Sequence, residues 1–360
     1  MRWPWRRARS SDQLVAAWSD QTLAYVVARD AGGGRFQIVK QGLESQGADS
    51  LAVFSSRLDK LGLSGYHASA MLRHSQYQWL QIDAPSVPAE ELRQAARYQI
   101  RDMIDVHLND VTIDVLRAGD GQSKGPATLF VIAAPNTALR SGFELAHAMR
   151  WTMPVVDVQE TTLRNLQSAV ARREGGLDRA TATLAVLDDA RALLTICANE
   201  ELFYARRLDI PAGFMTANWE TTNAAALDRF TPVQEYVPDY GLGGQSYGSD
   251  YSASVGQSFG ATAEPVSADN ESAQRFLVEV QRSLDLWDRA WSNMPLAAVH
   301  VLAGARSDEL ARWLSQELGQ AVSPLDIGDL FPGFEAAQPE VRAACWPLLG
   351  LLLRTEDRKL

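Results

Sequence analysis

Cysteine, histidine and positive charge are all scarce in this sequence, and each scarcity removes a class of function. Only two cysteines occur in 360 residues, Cys197 and Cys345, each inside an apolar stretch and without a second cysteine or a histidine at metal-ligand spacing. They read as buried thiols of a reducing compartment, which excludes a disulfide framework or a zinc module. The five histidines, His67, His74, His107, His147 and His300, fall in separate predicted elements and form no ligand pair. The net charge is -10, and the one dense basic run is Arg2, Arg6, Arg7 and Arg9, so general binding of nucleic acid is excluded as well. A phosphate-binding Walker loop and the Rossmann glycine fingerprint are both missing. The longest apolar run, around Leu348 to Leu353, falls far short of the roughly 20 residues that span a bilayer. The first ten residues carry arginines and two tryptophans but no apolar core segment, so a secretory signal is not expected. A solvated terminus is the plain reading there, and contact with an anionic membrane surface is the sharper one.

What is present suits a globular protein of two ordinary domains: 46% of the residues are hydrophobic. Three short β-type runs, Gln13 to Trp18, Thr22 to Ala28 and Arg35 to Gln41, are separated by a polar turn at Ser19-Asp20 and by Gly32-Gly33-Gly34. The pattern returns in the second half as Thr183 to Leu187, Ala192 to Ala198 and Leu202 to Leu208, with turns at Asp188-Asp189 and Asn199-Glu200. Two such meanders predict a duplicated architecture.

Between and after them the apolar spacing changes to that of helices. Leu51, Phe54, Leu58 and Leu61 share one helical face. A second helix is predicted from Glu90 to Ile104, with Pro88 and two glutamates at its start and an apolar face of Leu92, Ala95, Ala96, Ile100, Met103 and Ile104. Strands near Val111 to Leu116 and Ala127 to Ala133 and a helix from Thr137 to Arg150 complete a small α+β unit. A buried strand at Val155 to Val158 leads to a helix from Glu160 to Arg172, and Gly175-Gly176 marks a boundary. Residues 239–264 are rich in Gly, Ser and Tyr and read as an insertion too polar to order by itself. Beyond it, Phe276, Leu277, Val280, Leu284, Trp287 and Trp291 line a long helix. An almost wholly apolar strand then runs from Ala297 to Ala303 into Gly304, as expected of a parallel sheet covered on both faces.

Three blocks carry a family resemblance. The run from Arg275 to Leu284, followed by Val299-His300-Val301-Leu302-Ala303-Gly304-Ala305, resembles the adenosine-side helix, strand and glycine turn of the actin-like FtsA/PilM superfamily. Pro85 to Asp114 resembles the PilM/MshI signature, and Pro347 to Arg354 its closing helix. The resemblance implies an α/β, actin-like ATPase (ribonuclease H-like) fold with two lobes and an inserted α+β subdomain. Lobe one is expected from residues 1–75 and 151–176 with a C-terminal helix at 337–354, the inserted subdomain from 76–150, and lobe two from 177–336. It further implies a non-enzymatic cytoplasmic scaffold, peripheral at the inner membrane, for an MSHA-like type IV pilus machine. Its expected partner is the N-terminal tail of a PilN-like membrane protein, with the pilus motor ATPase and a second copy of the chain as further candidates. A GspL-like type II secretion domain shares the fold but continues into a transmembrane helix.

In such a fold a hairpin turn from each lobe brings a carboxylate toward Mg²⁺ and backbone amides toward phosphates, where glycine permits close approach. The candidates are Asp20, Asp188, Asp189 and Gly304, and neither hairpin turn has a glycine. A degenerate nucleotide site is therefore expected, with ATP and Mg²⁺ as the ligands it would take, no resident cofactor and no catalytic residue. The polar turn is the plain reading of Asp188 and Asp189. For the partner, Arg93, Arg97, Tyr98 and Arg101 lie off the core face of the second helix and are candidates for holding an extended peptide, against the plain reading of a solvated face.

Overall fold

A computed structural model describes residues 12–119, 127–219 and 268–355; the basic start and the expected insertion at 239–264 lie outside them. Lobe one is built on a five-stranded sheet. Its strands are β1 (Asp12–Ser19), β2 (Thr22–Gly32), β3 (Arg35–Ser45), β4 (His67–Leu72) and β8 (Thr152–Val158), in the order β3-β2-β1-β4-β8. The first three form the predicted antiparallel meander, and β4 and β8 join in parallel. Alternation along β1 and β2 divides the core. Leu14, Ala16, Leu23 and Tyr25 face Phe54 and Leu58 of helix α1 (Leu51–Lys60), whereas Val15, Ala17, Ala24 and Val26 face the middle of the molecule.

Lobe two repeats this plan. Strands β9 (Ala180–Val186), β10 (Arg191–Ala198), β11 (Glu201–Asp209), β12 (Leu296–Leu302) and β13 (Val322–Pro324) pair in the order β11-β10-β9-β12-β13, again an antiparallel meander followed by two parallel strands. One face packs on α5 (Ala268–Ala290) and α6 (Ser307–Leu318), burying Phe276, Val280, Trp287, Leu310 and Trp313. The hairpin turns of the two meanders, Asp20-Gln21 and Asn199-Glu200, have positive φ at both central residues (49° and 57°; 51° and 66°), the geometry that matches strand twist.

The lobes share a core. Helices α4 (Gln159–Arg173) and α7 (Pro339–Leu352) cross between the two sheets, and their Leu163, Leu166, Trp346, Leu348 and Leu349 belong to one core with Val15 and Val26 of lobe one and Ala185 and Leu193 of lobe two. The inserted sheet consists of β5 (Gln78–Asp83), β6 (Val111–Arg117) and β7 (Thr128–Pro135), in the order β5-β7-β6. One face carries α2 (Leu92–Gln99) through Leu92, Ala96 and Ile100; the other sets Phe130 against Cys197, Leu202 and Ala205 of lobe two.

Three expected boundaries move. The helix predicted from Glu90 to Ile104 is regular only from Leu92 to Gln99, and Met103 is exposed, because the sheet beneath is already covered by Ile100. The inserted unit, drawn as 76–150 from sequence, shares its last helix with lobe one: α3 (Asn136–Ala148) packs Leu139 with Ile132 and Ala134 of the inserted sheet, while Leu145 and the following Met149 are buried with Leu14 and Phe54 in lobe one. The final piece drawn from residue 337 begins earlier, since Phe331 and Phe334 pack on Phe36 and Ile38, and the Ile38 amide donates to the Pro332 carbonyl (2.9 Å).

Candidate functional site: the inter-lobe cleft and the groove along the third helix

The cleft between the lobes contains a cavity of about 360 Å³ lined by Asp188, Asp189, Gly304, Phe334, Arg342 and Trp346 among others. Three of the four sequence-predicted nucleotide residues thus converge, while Asp20 does not line the cavity. Gly304 sits at φ 58° with open space where a side chain would project, so its backbone conformation is what calls for glycine there. Asp188 is already engaged: its Oδ1 accepts from the Ala190 amide (2.8 Å) and its Oδ2 lies 3.2 Å from His74 Nε2. That is the local turn chemistry of aspartate. Asp189 is exposed, and no cluster of metal-ligating side chains occurs among the described residues. The amino end of α7, with Pro339 and Glu340, supplies one wall.

Beside this cavity lies a polar network that the sequence did not single out. Glu160, in the first turn of α4, is fully buried, yet it is met by the Arg207 guanidinium (Nε to Oε1, 2.9 Å) and by the Tyr77 hydroxyl, which donates to Oε2. Arg207 also stacks on the Tyr77 ring, 4.5 Å from its centroid. Burial and the adjacent carboxylate push the Tyr77 hydroxyl well above its ordinary range. Burial lowers the His74 imidazole from the ordinary 6.5, against the pull of Asp188. The only sequence signal was a pair of consecutive arginines in a strand, Arg206-Arg207, whose side chains leave on opposite faces: Arg206 pairs with Glu279 of α5 in lobe two.

The partner candidates, Arg93, Arg97 and Tyr98 on α2 and Arg101 just beyond it, do not line the groove described below. Arg93 pairs with Asp114 of β6 (3.0 Å), Arg97 donates to the Leu108 carbonyl, and Arg101 pairs with its neighbour Asp102. Tyr98 is 69% exposed. A groove does occur elsewhere. About 710 Å³ lies open between α1, the edge strand β6 and α3, lined by Leu51, Thr112, Asn136, Leu139, Phe143 and His147. Leu139 also closes a narrow apolar cleft floored by Trp18, Leu23 and Met71 of lobe one. Phe143 is 48% exposed, a large apolar side chain with no cover in the described structure.

The paired sheets of identical order around shared helices define an actin-like ATPase fold. Within that class the arrangement is PilM-like. A chain of the PilM–PilN type IV pilus biogenesis complex matches with a TM-score of 0.60 over 96% of this chain and 99% of that chain, at 15% identity, a likeness of fold. The cytoplasmic domain of EpsL, an inner-membrane component of the type II secretion system of Vibrio cholerae, gives 0.38 at 16% identity over 59% and 75% of the two chains. MreB5 of Spiroplasma citri bound to AMPPNP gives 0.37 at 8% identity over 88% and 92%. No family model matches the sequence, and no curated protein does. No helix among the described residues is long and apolar enough to cross a membrane.

Proposed function

We propose that this protein is a scaffold of a type IV pilus assembly machine, MSHA-like in kind, that acts at the cytoplasmic face of the inner membrane. It captures the extended N-terminal tail of a PilN-like membrane protein. The observation that carries this reading is the end-to-end likeness to a chain from the PilM–PilN complex, joined to an open groove with an exposed aromatic. The groove suits an extended segment. Strand β6 is an edge of the inserted sheet, so its outer backbone groups are available for strand addition, while Leu139 and Phe143 offer apolar contact to alternate side chains. A contact with the pilus motor ATPase and self-association belong to the same reading.

The cleft is read as a degenerate nucleotide site without efficient hydrolysis. Asp188 is committed to its own turn and to His74, and neither hairpin turn carries a glycine. A second reading, a nucleotide-responsive switch, is favoured by the convergence of Asp188, Asp189 and Gly304 on one cavity. Titration calorimetry with a synthetic peptide of the PilN-like tail tests the first. Binding is expected, and Phe143→Glu is expected to weaken it at least about tenfold while leaving the melting temperature unchanged, since burying an apolar anchor contributes about 1.5–3 kcal/mol. Absence of peptide binding to the wild-type protein sinks the scaffold reading.

A further inference from the structure

Residues 73–77 connect β4 of lobe one to β5 of the inserted sheet, and Arg73, His74, Gln76 and Tyr77 each bond to another element. The Arg73 side chain donates to the Ala344 carbonyl of α7 (2.7 Å). The His74 amide donates to Gln159 Oε1 of α4 (2.7 Å), its carbonyl accepts from Arg207 Nη1 of β11 (3.0 Å), and its ring meets Asp188 in the β9–β10 turn. Gln76 donates to the Trp18 carbonyl of β1 (2.9 Å), and the Tyr77 hydroxyl accepts from the Gln159 amide (3.1 Å) and donates to Glu160. We propose that this segment is an interlock: with Arg207 and Glu160 it fixes lobe one, lobe two and the inserted sheet as one rigid body, using protein groups at the place where the lobes meet.

Placement supports a role in holding the bodies together over one in folding either lobe. Arg206 and Arg207 are neighbours on β11, yet Arg206 pairs with Glu279 inside lobe two, whereas Arg207 reaches across to α4 and to the segment entering the inserted sheet. A buried carboxylate met by a cation and a phenol is costly to leave unpaired, so the bodies cannot part without exposing Glu160 to water or stranding it. The apolar contact of Phe130 with Leu202 and Ala205 lies on the same side, so the interlock orients surfaces that already adhere. This inference stands whatever the groove binds.

The test is amide hydrogen exchange of the full chain in the double variant Arg207→Met/Glu160→Gln, which removes both charges together, against the control Arg206→Met/Glu279→Gln. An interlock predicts exchange about tenfold faster in residues 74–83 and 187–191, with the interiors of both large sheets unchanged and the control unaffected in those segments. Should the double variant not fold, Arg207→Lys, which keeps the charge and loses the fork, is expected to accelerate the same segments alone. Unchanged exchange there, or acceleration spread evenly over the chain, overturns the proposal.

Discussion

At Gly350 the closing helix passes the backbone of Thr162 so nearly that a Cβ would lie 2.0 Å from the Thr162 carbonyl oxygen. Within the closing block Pro347 to Arg354, this glycine is a packing requirement of the crossing between α4 and α7. Asn165 strengthens the crossing by donating to the Gly350 carbonyl (3.0 Å). Gly350→Ala is expected to lower stability by about 3 kcal/mol, read as a fall in the urea midpoint with an unchanged slope. The two cysteines sit as their apolar surroundings suggested. Burial pushes Cys197 up to about 12 and Cys345 up to about 11, which leaves both as thiols. For Arg93 and Arg97 residue type says less: tertiary neighbours, here Asp114 and the Leu108 carbonyl, decide what an arginine bonds to.

Among the elements, the hairpins were the most legible. The alternation of Leu14, Ala16, Leu23 and Tyr25 against Val15, Ala17, Ala24 and Val26 sorts residues to the two faces of a sheet by geometry alone. The β1–β2 turn places Asp20 and Gln21 at positive φ, where a residue other than glycine is strained. Gln21→Gly, which makes the Asp-Gly pair preferred in such turns, is expected to raise stability by about 1 kcal/mol, seen as a higher melting temperature. Helix α2 is shorter than its spacing predicts, and α3 packs on lobe one as well as on the inserted sheet, for a common reason: apolar spacing says that a face is buried, not what buries it. The facing partner of Leu145 and Met149 is Phe54, some ninety residues away in sequence.

For the whole molecule, the buried His300 and the half-buried His74 set an acid limit. His74 and His300 are both lowered from 6.5 by burial, so the unfolded chain takes up protons before the folded one does. Their contribution to stability is complete above pH 6.5 and is lost as pH falls through the folded values. Unfolding in urea at about pH 7.5 and about pH 5.5 is expected to show the loss, and His300→Gln to reduce it. Millimolar Mg-ATP is expected to leave the melting temperature unmoved if the cleft is degenerate; a magnesium-dependent rise would instead establish nucleotide binding to the folded state. The sequence by itself determined the duplicated meanders, the buried thiols and the apolar β12, because these follow from local periodicity and from turn residues that act on their own neighbours. Tertiary structure alone decided the pairing of Glu160 with Arg207 and Tyr77, the seat of α7 between the lobes, and the groove beside Phe143. Those depend on residues far apart in the chain, and a side chain's partner at such separation leaves no mark in composition or spacing.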